Sequence, residues 1–216
     1  MEKAPREKIL KEAAILRANF PDARCTLEFR NRFELLVCTV LSAQTTDKRV
    51  NLVSPALFAA FPTPRAMAGA GEGEIEEIIR PLGMYKAKAA NLRELSRQLQ
   101  DGGGTVPGTM EGLTRLRGVG RKTANVVLAE GFSVPGFPVD THVTRVTSRL
   151  RWHSQWDRPH PDPKVIEEEL CAIFPPKEWI TMSHTLIAFG REVCHAKAPD
   201  CASCPLRDLC PFVKHG

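Results

Sequence analysis

The chain has 216 residues, 43% hydrophobic and 25% charged, with a formal net charge of +5 at pH 7. That length can bury one large core or two modest ones. No apolar run nears the roughly 18 residues needed to span a bilayer, and residues 1–8 lack the apolar core of a signal peptide. An intracellular protein, cytoplasmic and free of the membrane, is expected, and the basic excess permits a polyanionic partner without proving one.

In chain order, Ile9, Ala13, Leu16 and Phe20 recur at spacings of four, three and four, drawing one stripe along a helix that Pro21 closes. Phe33, Leu36, Val37, Val40 and Leu41 mark a denser core helix, followed at once by the polar residues 42–47. Helical spacing returns over 50–61, 74–79, 87–99, 110–116, 121–129, 143–150, 163–174 and 179–189, and no convincing strand alternates through them. The connectors carry the breakers Pro62-Thr63-Pro64, Gly102-Gly103-Gly104, Pro107-Gly108, Pro135-Gly136-Phe137-Pro138 and the prolines of 159–163. The fold class is therefore all-α, with a candidate domain seam at 135–138.

Leu116-Arg117-Gly118-Val119-Gly120-Arg121-Lys122-Thr123-Ala124 reads as the end of a helix, a tight Gly-x-Gly turn and a second helix. Glycine takes backbone angles that a side chain forbids. With no Cβ at the turn a phosphate can come close, and the N–H groups opening the second helix point toward it. Gly118, Val119, Gly120, Arg121 and Thr123 are thus candidate DNA-backbone contacts, although a bare Gly-x-Gly is also an ordinary turn. Lys122 lies in the first turn of the second helix, where the macrodipole disfavours an ammonium and favours the neutral, nucleophilic amine. Downstream, Pro138-Val139-Asp140-Thr141-His142 sets Asp140 just before a helical pattern, a position that suits a helix cap.

Of seven cysteines, four crowd into the pattern Cys194-x6-Cys201-x2-Cys204-x5-Cys210. Four soft sulfurs suit tetrahedral zinc or an iron–sulfur cluster. Zinc ribbons usually pair two Cys-x2-Cys knuckles, and only one is present. Cys25, Cys38 and Cys171 lie apart and read as small buried hydrophobes.

These motifs, in this order and over nearly the whole chain, resemble the endonuclease III family of helix-hairpin-helix DNA glycosylases. Gly-Val-Gly-Arg-Lys-Thr-Ala-Asn is close to its hairpin signature, Val-Asp-Thr-His matches residue for residue, and the six-two-five cysteine spacing is similar to its 4Fe-4S loop. The resemblance implies two helical domains. One is a six-helix module over 24–134 with the hairpin; the other, 1–23 with 135–216, holds a 4Fe-4S cluster on Cys194, Cys201, Cys204 and Cys210. DNA is expected in a cleft between them.

The resemblance also implies the chemistry. A monomeric base-excision repair enzyme is expected to bind double-stranded DNA carrying oxidised pyrimidines or abasic sites, at the nucleoid. It flips the nucleotide out and removes the base, with Lys122 as nucleophile and Asp140 as catalytic carboxylate. It then nicks the strand by β-elimination. Leu41-Ser42-Ala43-Gln44 resembles the loop whose Gln44 enters the vacated space, and Gly83-Met84-Tyr85 the loop supplying an apolar wedge, Met84. His142 and Lys197 are further candidate DNA contacts. Arg117 stands where the family usually has Pro, which predicts a looser entry to the hairpin and one extra phosphate contact. The rival readings are a monofunctional glycosylase for mismatched bases, a non-catalytic DNA-binding module and a zinc-binding structural protein.

Overall fold

A computed structural model describes residues 2–215, and among them every regular element is helical. The order is α1 (Arg6–Asn19), α2 (Arg32–Leu41), α3 (Asp47–Ala60), α4 (Pro64–Ala68), α5 (Glu74–Ile79), a 3-10 turn (Arg80–Leu82), α6 (Tyr85–Asp101), α7 (Met110–Thr114) and α8 (Arg121–Phe132). Then follow α9 (Thr141–Leu150), α10 (Pro163–Ile173), a second 3-10 turn (Pro176–Glu178), α11 (Trp179–Glu192) and α12 (Pro211–His215). Among the described residues no helix is long and apolar enough to cross a membrane.

The starts of these helices follow from local chemistry. Asn31, Thr46, Thr63, Thr109, Asp140 and Asp162 each accept a backbone N–H of the following turn with a side-chain oxygen, a cap worth about 1 kcal/mol. Pro64, expected only to break a helix, instead opens one: it sits in the first turn of α4, as Pro163 does in α10, where a helix was expected, and a missing N–H costs nothing there. The helix at Pro64 is thus an addition to the sequence expectation.

The described residues form two compact units, one reaching to Cys25 and resuming at Pro135, the other spanning Thr26–Val134. In the second, α4 and α5 pack on α6, and α2 packs on α8. Every residue of α2 from Phe33 to Leu41 is buried. Buried Glu34 is answered by Arg30, whose Nε and terminal nitrogen donate to it at 3.0 and 2.8 Å. Cys38 is buried as expected, whereas Cys25 and Cys171 are half-buried.

In the other unit, α9 and α1 pack on α11 around Trp152, Phe137, Phe174 and Phe189. Trp152 Nε1 donates to the buried Glu12 carboxylate at 2.7 Å. Ser183 on α11 donates to the Pro138 carbonyl at 2.6 Å. That bond anchors the strap that delivers Asp140 to the head of α9.

Candidate functional site

The hairpin begins where α7 ends. Leu113, Leu116 and Val119 are buried, and Val119 N–H donates to the Leu116 carbonyl at 3.1 Å, so the turn hangs from an apolar base. Val119 therefore anchors the turn and offers solvent little surface. Gly118 has φ +78°, and a Cβ there would come within 3.2 Å of the Asn91 side chain; both facts require glycine. Gly120 departs from the expectation. Its φ of −92° and ψ of 175° suit any residue, yet a Cβ would meet nothing within 4 Å. Its bare Cα borders open space at the head of α8, which starts with no side-chain cap. A helix start without a side-chain cap suits an outside acceptor.

The looser entry expected at Arg117 is not found. Its N–H, which a proline would lack, donates to Gln98 Oε1 at 2.8 Å, and its Nε donates to Asn91 Oδ1 at 3.1 Å. Both partners lie on α6, so Arg117 ties the hairpin to the rest of the unit. Beyond it Arg121 and Lys122 are exposed and Thr123 is half-buried.

Two loops of the same unit present candidate wedges. Gln44, between α2 and α3, has φ +56°, and Met84 has φ +48° after Gly83 at +63°. Left-handed angles cost a side-chain-bearing residue about 1–2 kcal/mol. Such strain collects where a side chain must be held in an unusual place. Both residues are exposed, Met84 at 58%, so Met84 is not a core filler.

In the other unit Asp140 is both cap and accessible carboxylate. Its Oδ1 accepts the N–H groups of His142 at 2.8 Å and Val143 at 2.9 Å, which leaves Oδ2 outside the cap. His142 is half-buried against α11, where a Cβ on Gly190 would press to 2.9 Å of it. Its Nδ1 lies 3.0 Å from an Arg145 guanidinium nitrogen. Burial pushes the His142 imidazole below its ordinary range, against the pull of Asp140.

Sequence reading missed two arginines on the same helix. Arg145 donates to the carbonyls of Gly190 at 2.9 Å and Cys194 at 3.0 Å. Arg149 donates to those of His195 at 2.7 Å and Ala196 at 3.1 Å and to the Cys194 sulfur at 3.1 Å. The i, i+4 spacing marked them as neighbours on one helix face, but their acceptors lie 45 to 49 residues away. Arg145 and Arg149 also line an open groove of ≈ 1110 Å³ with Asp140, Trp156, Arg158 and His160. The last three come from a loop that the sequence offered only as a proline-rich connector.

The four C-terminal cysteines gather. They are free thiols that line one small cavity together with the apolar side chains of Leu150, Phe189, Leu206 and Phe212. Burial pushes the Cys204 and Cys210 thiols up, and neighbouring thiol groups push the same way. A cationic centre would relieve that repulsion. Among the described residues no group of three or more His, Cys, Asp or Glu is arranged to hold a metal ion, although all four thiols line this one cavity. Lys197 stands exposed on the loop between the first two cysteines.

Known proteins match this arrangement. Residues 37–176 match the model of the HhH-GPD superfamily base excision DNA repair proteins. The endonuclease III of Synechocystis sp. is 43% identical over 202 residues, 93% of this chain and 90% of that protein. The endonuclease III of Escherichia coli is 38% identical over 213 residues, 98% and 97% of the two chains. The solved structure of a trapped endonuclease III–DNA covalent intermediate superposes with a TM-score of 0.92 at 42% identity, covering 98% of each chain. This chain therefore belongs to the HhH-GPD superfamily and, within it, to the endonuclease III family.

Proposed function

We propose that the protein is a base-excision repair enzyme, a bifunctional DNA glycosylase and abasic-site lyase acting on damaged double-stranded DNA. One observation carries the reading. Its relative forms a covalent intermediate with DNA, and this chain sets an exposed amine, Lys122, in the first turn of the helix that follows the glycine turn.

The reaction follows from the chemistry of that amine. The neutral Lys122 Nζ attacks C1′ of the flipped nucleotide, and the glycosidic bond breaks with its electron pair going to the base, which is protonated as it leaves. The sugar ring opens, the amine loses its proton, and a Schiff base joins Nζ to C1′. That iminium acidifies the C2′ proton. Its removal expels the 3′ phosphate and nicks the strand, and water then hydrolyses the Schiff base to free the lysine. Asp140 Oδ2 stabilises the positive charge that grows on the sugar as the base departs.

Gln44 and Met84 fill the space left by the flipped nucleotide, whose extrusion costs a few kcal/mol and least for a damaged base. Amides opening α8, with Arg121 and Thr123, grip the backbone, as does Lys197. Arg158 adds a cation, and His160 a polar ring, to the groove beside Asp140. Oxidised pyrimidines are the substrate class. Cys194, Cys201, Cys204 and Cys210 would hold a 4Fe-4S cluster, for which the ring of soft thiols in an apolar shell is suited. Its iron–thiolate bonds supply folding free energy to the segment around it. The hairpin unit and the cysteine-bearing unit are the domains of this enzyme.

The test is borohydride trapping on duplex DNA with an abasic site or thymine glycol, alongside Lys122→Gln and Asp140→Asn proteins checked for folding and iron. The wild type is expected to form an adduct that Lys122→Gln abolishes. Asp140→Asn is expected to slow base release by about 10²-fold. Base release without an adduct would support a monofunctional glycosylase, binding without reaction a DNA-binding module, and zinc in place of iron would remove the cluster.

A further inference from the structure

α6 carries a lysine in the core. Lys88 is 4% exposed, and its Nζ donates to the carbonyl oxygen of Leu82 at 3.2 Å. Its backbone N–H donates to the carbonyl oxygen of Met84 at 3.0 Å. One residue thus grips the chain on both sides of Gly83, where two successive residues take positive φ. Within two positions the chain passes from Leu82, 2% exposed, to Met84, 58% exposed.

A buried ammonium is costly unless it is paired. Lys88 has a single neutral acceptor, and burial alone perturbs it, pushing its titration down with no opposing carboxylate. A methionine or leucine would fill the same volume without that penalty. What the amine adds is a hold on the Leu82 carbonyl, at the base of a turn strained at Gly83 and Met84.

We infer that Lys88 is a positioning residue for base flipping: by holding the Leu82 carbonyl it keeps the turn at Gly83 and Met84 in the shape that presents Met84 outward. This rests on the wedge role proposed for Met84. Lys88 touches no reacting atom and acts only through that turn. Its effect should therefore appear where extrusion of a stacked, paired nucleotide limits the rate, and fade where the nucleotide is already loosened.

The experiment compares single-turnover excision of thymine glycol by four holoproteins: wild type, Met84→Ala, Lys88→Met and the double variant. Each acts on one duplex with the lesion paired to adenine and on another with it mispaired to guanine. Melting temperature and iron content are recorded for all. On the paired duplex, Met84→Ala and Lys88→Met are each expected to slow excision about tenfold, and the double variant to be no slower than Met84→Ala. On the mispaired duplex both effects should shrink to about twofold, because an ill-paired base is cheaper to extrude.

If Lys88→Met slows both duplexes alike, or multiplies the defect of Met84→Ala, the lysine is merely structural and the inference fails. If Met84→Ala excises at the wild-type rate on both, the wedge reading itself fails. Lys88→Gln, whose amide is also a donor, replaces Lys88→Met if the latter does not fold, and is held to the same pattern with rates nearer wild type.

Discussion

The two units hold the residues proposed to react by different means. Lys122 stands on α8, which packs on α2, buried from Phe33 to Leu41, and its hairpin is tied to α6 through Arg117. Ordinary apolar packing suffices there. The other unit mixes a similar core around Trp152 and Phe189 with a segment, residues 194–210, that has no helix of its own. Two arginines donating to carbonyls fasten that segment to the helix headed by Asp140, and its four thiols line one cavity. One half of the proposed chemistry thus rests on an apolar core, and the other adjoins a segment that the proposed cluster would complete.

The largest expected effect comes from removing that group. Cys201→Ala, or stripping the iron, should abolish hydrogen-exchange protection over residues 194–210. The loss should spread to α9 through Arg145 and Arg149, while amides in α2, α6 and α8 of the hairpin unit stay protected. Structural metal binding contributes about 10–16 kcal/mol in small zinc domains, comparable with the whole stability of a domain. Uniform loss in both units would break the comparison.

Next in size is a pH effect confined to the cysteine-bearing unit. His153 is fully buried beside Ser148, and burial pushes its titration down to about 4, against roughly 6.5 in an unfolded chain. A depressed value means that the unfolded state binds the proton first. The stabilisation is complete above pH 6.5 and is lost as pH falls toward 4, by about 3 kcal/mol in all. Glu12 acts in the opposite sense, since burial raises its carboxyl, so wild type must be compared with His153→Gln. All three tryptophans lie in this unit. Urea unfolding followed by their fluorescence should show the gap between the two proteins narrowing from pH 7.5 to 5, and a constant gap would refute the burial effect.

What was legible in the sequence divides along similar lines. Apolar stripes gave α1 and α2, and spacing gave α5 and α11 to within a few residues, because a helix face is a local pattern. Lys122, Asp140 and the four cysteines stand out in the sequence as candidates, since each proposed chemistry fixes residue type and spacing together. Pro64 was misread because a proline that opens a helix and one that ends it look alike until the Thr63 cap is recognised. Arg117 was misread because its partners, Asn91 and Gln98, are 26 and 19 residues away. Arg145, Arg149 and the groove at Trp156, Arg158 and His160 stayed hidden for a related reason. A cation's use depends on which carbonyl or phosphate the fold brings to it.

A smaller effect should fall on binding. Arg158→Ala removes one cation from the groove beside Asp140. If that cation neutralises a phosphate, the slope of log K against log salt for duplex binding should fall by about 0.9. An unchanged slope would remove the groove from the DNA path while leaving the assignments of Lys122 and Asp140 intact.

The smallest effect on stability should come from the second glycine of the hairpin, and it sharpens the contrast between packing and function inside one turn. Gly118→Ala forces a Cβ into a backbone at φ +78° and within 3.2 Å of Asn91, which should cost about 1–2 kcal/mol of stability. Gly120→Ala places a Cβ where φ is −92° and no atom lies within 4 Å, so stability should change by less than about 0.5 kcal/mol. If the open space at Gly120 is where a phosphate meets the head of α8, that harmless methyl must still weaken duplex binding, because it stands between the anion and the amides it needs. A Gly120→Ala protein with unaltered melting and reduced affinity would assign the bare Cα to DNA. Unaltered affinity would show that the amides at the head of α8 meet no phosphate, and would leave the grip to Arg121 and Thr123.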